Sequence, residues 1–387
     1  MAKPIDIVIV GAGIAGLWTF ARLKQAGYDA LLLEREAIGC GQTIAAQGIL
    51  HSGLKYSLAG RVNEAARAIM AMPDRWRAAL RGAGEIDLSA ARTRAETQYM
   101  LMPGGLLGGL KRLVAQRALT GSRELPRAEW PDGLRQAGFG GSVVFMDELV
   151  LDVPSVLRAL AEPWRDSVRR LDAAGAVRPV ELLRSHGIAP RCVLYTAAGG
   201  NLGFATRDGN ADGLEDQHRP LLQGLMKPAP FPLFAHLVGG SMSDKPVATI
   251  TTHETAGGEL VWYLGAAVAE RPRDADAGAT IDASREAIAA YLPGIDLSGV
   301  RWATLPIDRV EGRTRGFRMP DTPTLHRVGT VMYGWPTKLT FTPMLADMVV
   351  AELAGLGIGP SGGVTDFSFL PPVGYADAPW DRAAWTS

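Results

Sequence analysis

The order of apolar and polar residues over the first 35 positions predicts a strand, a helix and a second strand. Residues 6–10 read DIVIV, with four apolar residues after Asp6, and a glycine-rich turn follows. A stretch with apolar side chains at helical spacing then leads to LLLE at 31–34, an apolar run that ends in an acid. In such a unit the helix N-terminus presents free N–H groups and a partial positive charge to a phosphate. The pattern therefore predicts a site for an adenine dinucleotide, without distinguishing NAD from FAD.

Each glycine of the turn has its own predicted role. Gly11 permits a tight turn, Gly13 lets the backbone approach a pyrophosphate, and Gly16 lets the helix pack against the strand. Glu34 lies about 20 residues further on, where a carboxylate accepts hydrogen bonds from ribose hydroxyls. The residues of this unit that are predicted to bind the dinucleotide are Gly11, Gly13, Ile14, Ala15, Gly16, Glu34 and Arg35.

Beyond residue 60 the apolar pattern changes between helical and strand periods. The predicted helices lie at 61–82, 105–119, 152–161, 280–291 and 343–354. The predicted strands lie at 98–102, 143–146, 191–196, 232–238, 247–253, 260–265 and 305–309, and a further strand at 329–340 leads into a turn. The three strands between residues 232 and 265 suggest an antiparallel sheet. The Gly- and Pro-rich tail after Gly355 suggests an arm that wraps around the protein.

The chain length and the order of these elements predict two domains, because 387 residues exceed one ordinary core. We expect an α+β protein in which an α/β dinucleotide-binding domain with a mainly parallel sheet carries an antiparallel-sheet substrate domain above the cofactor. The first domain is assigned residues 1–75, 145–205 and 300–387, and the second is assigned residues 76–144 and 206–299.

Composition and charge argue against several other classes of protein. Basic and acidic residues number 40 each, so the formal net charge of zero gives no reason to expect a nucleic-acid partner. No apolar run reaches 18 residues and the first strand begins near residue 5, so we expect no membrane span, no signal peptide and a cytoplasmic location. The two cysteines, Cys40 and Cys192, form no CxxC pair, which gives no sign of a zinc site or a redox dithiol.

Two further stretches, taken together with the glycine turn, carry a family resemblance. Residues 41–56 read GQTIAAQGILHSGLKY, and residues 333–340 read YGWPTKLT ahead of an apolar helix. Together the three stretches resemble the D-amino-acid-oxidase-type superfamily of FAD-dependent oxidoreductases. Within it, residues 41–56 are similar to L-2-hydroxyglutarate oxidase and to the FAD-linked glycerol-3-phosphate dehydrogenases. The resemblance covers the dinucleotide domain well and the substrate domain poorly.

The resemblance implies FAD rather than NAD. Some members link the flavin to a histidine at the position of Ala45, so we expect non-covalent FAD here. Residues 338–340 would lie near the flavin pyrimidine ring, at the N-terminus of the following helix. The glycine junction after the strand at 191–196 either covers another part of the cofactor or is a plain tight turn. The further candidate FAD contacts are Gln42, Thr43, Ala46, Gln47, Gly48, Ile49, Val168, Ala198, Gly199, Lys338, Leu339 and Thr340.

Flavin oxidation of an alcohol or amine needs a group that accepts a proton from the heteroatom, and histidine suits this role near neutral pH. The resemblance places His51 beside the flavin, while Arg309 either clamps a substrate carboxylate or forms an exposed ion pair. The candidate catalytic residues are His51, Lys338 and Arg309, and the candidate substrate-binding residues are His51, Lys55, Tyr56, His236, Tyr263 and Trp335. No two histidines lie four residues apart with a carboxylate, so no metal is expected.

We therefore expect an FAD-dependent oxidoreductase that transfers a hydride from a small 2-hydroxy acid or polyol-type alcohol to flavin N5 and passes the electrons to oxygen or another acceptor. Lys55 stands where the glycerol-3-phosphate enzymes have an arginine, which argues against a phosphate substrate. Four alternatives stay open: oxidation of an amine or amino acid, a tailoring enzyme with unusual flavin chemistry, a non-catalytic FAD-binding protein, and a colourless NAD(P)-dependent dehydrogenase.

Overall fold

The computed structural model describes residues 2–51, 70–103, 122–171, 178–239, 245–314 and 320–386. The strands within these residues are β1 (Lys3–Val10), β2 (Ala30–Glu34), β3 (Thr93–Ala95), β4 (Gln98–Met102), β5 (Arg123–Leu125), β6 (Ser142–Met146), β7 (Val150–Leu151), β8 (Val168–Arg170), β9 (Ile188–Tyr195), β10 (Asp216–Lys227), β11 (Ala235–Leu237), β12 (Ala248–Glu254), β13 (Leu260–Gly265), β14 (Arg301–Gly312), β15 (Thr324–Val328) and β16 (Val331–Trp335). The helices are α1 (Ile14–Gln25), α2 (Met72–Leu80), α3 (Asp132–Gln136), α4 (Val153–Ala161), α5 (Pro179–Ser185), α6 (Gly200–Asp208), α7 (Ala277–Tyr291), α8 (Thr342–Gly355) and α9 (Pro379–Arg382).

A six-stranded sheet in the order β15-β16-β9-β1-β2-β8 forms the first layer of the structure. Its strands pair in parallel except for β15 with β16, and Val8 is in register with both Leu31 and Val193. Residues 5–10 of β1 are all buried, because helices cover the sheet; α1 and α8 pack on one of its faces. Continuous apolar runs are typical of parallel strands that are buried on both faces.

An eight-stranded sheet in the order β14-β10-β13-β12-β11-β4-β6-β5 forms the second layer. Every neighbouring pair is antiparallel except β11 with β4, so the three strands predicted between residues 232 and 265 are present as β11, β12 and β13. One face of this sheet packs on α7, where Trp262 and Trp302 are fully buried. The other face carries the residues that line the cavity described below.

The mixed α/β architecture confirms the predicted fold class, but three predicted domain boundaries need correction. The boundary at residue 300 is wrong because β14, at Arg301–Gly312, is an edge strand of the eight-stranded sheet. The boundary at 145 divides β6, and the boundary at 75 divides α2, whose Trp76 packs on Trp18 with ring centroids 4.4 Å apart. The helix predicted at 105–119 lies outside the described residues. Of the helices that are described, none combines the length and apolar character needed to cross a bilayer.

The predicted C-terminal arm docks on the eight-stranded sheet through aromatic contacts. Trp380 is 3% exposed and stacks on the ring of His253, with centroids 4.1 Å apart. The Nε2 atom of His253 lies 2.9 Å from the Thr251 hydroxyl oxygen. Burial, with a smaller repulsion from Arg94, lowers the pKa of His253 to about 3. The arm therefore packs against a neutral imidazole.

Acid is expected to destabilise the protein partly through His253. In the folded state this imidazole stays neutral down to about pH 3, whereas the unfolded chain takes up a proton below about pH 6.5. Because the unfolded state binds more protons between these values, the free energy of unfolding should fall by on the order of a few kcal/mol as the pH drops through this interval. Urea titrations of the wild type and of His253→Phe across this interval measure the effect. The variant keeps an aromatic ring on Trp380 but cannot be protonated, so its free energy of unfolding should depend less steeply on pH. Equal slopes for the two proteins would contradict the prediction.

Candidate functional site

A cavity of about 1370 Å³ is lined by residues from both sheets. Its walls include the turn after β1 and the segments at residues 40–51, 196–200, 304–310 and 334–340. Pockets for drug-sized ligands are typically about 300–1,000 Å³. The cavity is therefore large enough for an extended dinucleotide together with a small substrate.

The turn after β1 has the close contacts that its glycines were predicted to permit. Gly11 has a φ of +107°, and a Cβ on Gly16 would lie 2.0 Å from the Gly11 carbonyl oxygen. A Cβ on Gly13 would lie 3.1 Å from Thr43 Oγ1, which accepts a hydrogen bond of 3.0 Å from the Ile14 N–H at the start of α1. Gly16 thus contributes to the packing of α1 rather than to the cavity wall.

Gly16→Ala is expected to destabilise the dinucleotide-binding layer by at least about 1–3 kcal/mol, because the new methyl group would overlap backbone that has no room to move. Thermal unfolding and flavin content of the purified variant measure this. Gly203→Ala in α6 is the matched control, because no atom lies within 4 Å of the added methyl group and alanine favours the helix. Equal melting temperatures for the two variants would contradict the packing role of Gly16.

Glu34 is held at the end of β2 by the neighbouring backbone. Its Oε2 accepts a hydrogen bond of 2.8 Å from the Ala12 N–H, and its Oε1 accepts one of 2.9 Å from the Glu36 N–H. Glu34 and Arg35 both line the cavity, as expected for a ribose-binding position. The prediction that Val168 contacts FAD is corrected. The Val168 side chain is fully buried in the core and does not line the cavity, whereas Leu171 does.

Strained backbone is concentrated at the cavity. Among the described residues other than glycine, positive φ angles occur at Ala198 (+50°), Ala266 (+68°) and Thr337 (+68°), and all three line the cavity. Such conformations are unfavourable for residues with a Cβ and persist where the surroundings enforce them, often at binding sites. The glycine junction after β9 is therefore part of the wall rather than a remote turn.

Side chains tie the segment at residues 41–50 to the eight-stranded sheet. The Gln47 amide donates to the carbonyl oxygens of Thr249 at 3.0 Å and Tyr263 at 2.9 Å. The Tyr263 hydroxyl donates to the Ala45 carbonyl at 2.6 Å. Tyr263 is fully buried and does not line the cavity, so its prediction as a substrate contact is corrected to a structural role.

The segment at residues 334–340 closes the other side of the cavity. Trp335 belongs to the wall, but it is 1% exposed and its indole N–H donates to the Ala198 carbonyl at 3.2 Å. It supports that turn rather than covering a substrate. Lys338 lines the cavity with its ammonium 5.3 Å from the ring centre of Phe341. The helix α8 begins at Thr342, so its positive end faces this side, as predicted.

A strand-like pairing that the sequence did not reveal brings His51 to Glu148. Ile49 bridges Val150 in antiparallel register, and the Leu50 N–H donates to the Leu149 carbonyl at 2.9 Å. Continuing this register by one more step places His51 opposite Glu148, with His51 Nδ1 3.6 Å from Glu148 Oε2. The His51 side chain is 47% exposed and that of Glu148 only 4%. A buried carboxylate therefore lies directly behind the imidazole.

His236 approaches the same carboxylate from β11. Its Nε2 lies 3.7 Å from Glu148 Oε2, and its Nδ1 lies 2.8 Å from the Thr249 hydroxyl oxygen. Burial alone opposes ionisation of Glu148, but the contacts with His236 and His51 outweigh it and hold the pKa of this carboxyl well below its usual range. All three side chains line the cavity. The cluster is thus an anion shared by two imidazoles.

The same three side chains are ligand types for a divalent metal ion. Their nitrogen and oxygen atoms all lie within 4.8 Å of one another. No local pattern in the sequence indicates this grouping, because the residues come from three distant segments and not from one helix. The expectation that the protein binds no metal stays a prediction, and metal analysis of the purified protein tests it.

Arg309 and Arg219 are neighbours on β14 and β10, in direct register. Arg219 forms an ion pair with Glu311, and Arg309 donates from Nε to the Arg219 carbonyl at 3.2 Å. Burial, followed by repulsion from Arg219, lowers the pKa of the Arg309 guanidinium to about 10. Both arginines line the cavity. A bound anion would offset the burial and the repulsion that disfavour this half-buried cation.

The other site predictions divide into three groups. The predicted FAD contacts on the cavity wall are Gly11, Gly13, Ile14, Ala15, Glu34, Arg35, Gln42, Thr43, Ala46, Gln47, Gly48, Ile49, Ala198, Gly199, Lys338, Leu339 and Thr340. Lys55 and Tyr56 lie outside the described residues. Gly16 is not among the residues that line the cavity, in keeping with its packing role.

The sequence matches the family model of DAO-type FAD-dependent oxidoreductases over residues 6–351. The chain belongs to this family. A curated relative, the probable FAD-dependent oxidoreductase PA4991 of Pseudomonas aeruginosa, is 40% identical over 390 residues, which cover 99% of both chains. The crystal structure of PA4991 superposes with a TM-score of 0.80 at 34% identity over 98% of each chain.

More distant solved structures share the fold alone. L-amino acid deaminase from Proteus vulgaris has a TM-score of 0.63 at 19% identity, with 92% of this chain and 91% of that chain covered. L-α-glycerophosphate oxidase from Mycoplasma pneumoniae, with FAD bound, has a TM-score of 0.63 at 11% identity, with 91% and 95% covered. The family match and the relative at 40% identity confirm the predictions of an enzyme, of FAD and of the superfamily.

The cavity of this FAD-dependent oxidoreductase fits its cofactor. The glycine turn has no side chain where a diphosphate would approach α1, and an added Cβ at Gly13 would already be tight against Thr43. This turn and Glu34 would hold the diphosphate and the adenosine ribose. Residues 42–49 and 338–340 would hold the isoalloxazine, with His51 at the end of the first segment. Non-covalent attachment stays a prediction.

Proposed function

We propose that this enzyme oxidises a small 2-hydroxy acid to the 2-oxo acid. The observation that carries the proposal is the pairing of His51 with the buried Glu148 on the cavity wall. An alcohol gives up its hydroxyl proton only as its C–H bond breaks, so its oxidation requires a positioned base. An ammonium group can lose its proton to solvent before it reacts, so an amine needs such a base less. The pair therefore favours the hydroxy acid over the amine.

FAD, when bound, supplies the two-electron acceptor for the hydride that leaves C2 of the substrate. His51 accepts the hydroxyl proton, and the C–O bond becomes a carbonyl as the C–H bond breaks. Glu148 stabilises the imidazolium that results, because its carboxylate lies 3.6 Å from Nδ1. The low pKa of Glu148 keeps it ionised for this role.

Arg309 is the proposed partner of the substrate carboxylate. It lines the cavity, and its hydrogen bond to the Arg219 carbonyl uses Nε, so binding a carboxylate through the Nη groups would not break this bond. A guanidinium binds a carboxylate through two parallel hydrogen bonds, which fixes the orientation of the acid. This contact favours a hydroxy acid over a polyol, which has no carboxylate. The electron acceptor, oxygen or another molecule, stays a prediction.

Matched pairs of substrates test the proposal. The yellow holoenzyme is mixed without oxygen with a 2-hydroxy acid or with the amino acid that has the same side chain, and the flavin absorbance is followed. We expect the hydroxy acid to bleach the flavin and the amino acid to leave it oxidised. Bleaching by the amino acid alone would replace the proposal with amino-acid oxidation. If the hydroxy acid, the amino acid and polyols all leave the flavin oxidised, the result would favour a tailoring or non-catalytic role.

A further inference from the structure

One end of the cavity carries an apolar surface, which we call the methionine wall: Met100, Met102, Met146 and Val238. The three methionines are 7%, 3% and 6% exposed, and all four residues line the cavity. They come from three neighbouring strands, β6, β4 and the end of β11. The wall is thus a continuous part of the eight-stranded sheet.

Strand register places this wall next to the proton-accepting residues. His236 on β11 is in register with Met100 on β4, and side chains two residues apart on a strand share a face. On the other side of β4, Gln98 is in register with Met146, so Met146 is on that face as well. His236 in turn contacts Glu148 at 3.7 Å. A substrate that loses its C2 hydride and its hydroxyl proton here would have the substituent on C2 beside apolar atoms.

We propose that the substrate is a 2-hydroxy monocarboxylic acid with an apolar side chain, and that the methionine wall binds this side chain. The inference rests on the proposed function and names the substrate class within it. Methionine side chains are flexible and polarisable, so they adapt to groups of different shape. The enzyme should therefore accept both straight and branched side chains.

The charges near the wall argue against a second carboxylate on the substrate. Lys245 also lines the cavity, but its ammonium pairs with both oxygens of Glu270, at 3.0 and 2.8 Å. Its charge is therefore balanced within the protein. A carboxylate placed against thioether and methylene groups would lose its hydration without compensation. This distinguishes the proposed substrate from the dicarboxylic acid of the L-2-hydroxyglutarate oxidases that residues 41–56 resemble.

A homologous series measures the role of the wall. With 2-hydroxy acids whose side chains run from methyl to pentyl, kcat/KM should rise about fourfold for each methylene that enters the wall. A 2-hydroxy dicarboxylic acid of equal length should react about tenfold more slowly, or worse. A flat series, or a preference for the dicarboxylic acid, would overturn the inference and leave the proposed function standing. If no hydroxy acid in the series reduces the flavin, the proposed function fails first.

Two substitutions at one position localise the effect. Met100→Asn should flatten the rise along the series, because the polar amide replaces apolar contact beside His236. Met100→Leu keeps apolar contact and similar volume, so it should preserve the rise. Flavin content and melting temperature of both variants are measured alongside. A rise that survives Met100→Asn in a folded, flavin-loaded protein would show that the side chain binds elsewhere.

Discussion

Glu148→Gln is expected to slow flavin reduction by a saturating 2-hydroxy acid by about 10²–10³-fold. Glutamine has nearly the same shape, but it carries no charge to stabilise the imidazolium on His51 or His236. Proton transfer from the hydroxyl group would then leave a cation without its counter-ion in a partly buried site. Anaerobic stopped-flow absorbance of the flavin gives the rate constant directly.

The matched control for this prediction is Asp147→Asn. Asp147 is the exposed neighbour of Glu148 and pairs with Arg77 on the surface at 2.6 Å. This variant should reduce its flavin at the wild-type rate, because a surface ion pair contributes little. A wild-type rate in Glu148→Gln would remove the carboxylate from the reaction. If a chelator slows flavin reduction in the wild type, this would instead indicate a metal ion held by His51, Glu148 and His236.

Arg309→Leu is expected to raise KM for the 2-hydroxy acid by about 10–10²-fold, because hydrogen bonds to a charged group contribute about 1.5–3 kcal/mol. The KM of Arg309→Lys should lie between those of the wild type and Arg309→Leu, since an ammonium keeps the charge but loses the paired geometry. Steady-state kinetics with one hydroxy acid measure both. Arg301→Leu is the control, because Arg301 is on the same strand but is exposed and pairs with Glu259. An unchanged KM in Arg309→Leu would place the carboxylate elsewhere.

Local sequence was sufficient for the dinucleotide half of the site. The roles of Gly11, Gly13 and Gly16 depend on backbone within a single turn, and the burial of β1 follows from its apolar run. Residues 41–50 were found through the resemblance of a contiguous motif. In each case the interacting groups are close along the chain or belong to one recognisable unit.

The substrate half depends on contacts that no local pattern specifies. Glu148 was missed because only the pairing of residues 49–50 with 149–150 brings it to His51. The pairing of β4 with β11 likewise creates the methionine wall. Tyr263 was predicted to contact substrate, but the C-terminal arm covers it, and the sequence does not show where that arm docks: Tyr263 is fully buried in a cluster with Trp380.

The most direct test is a crystal structure of the FAD-bound enzyme with a 2-hydroxy acid whose C2 hydrogen is replaced by methyl, so that no hydride can leave. The hydroxyl group should lie within hydrogen-bond distance of His51, the carboxylate on Arg309, and the apolar side chain against Met100. A ligand whose hydroxyl group is remote from both His51 and His236 would contradict the account.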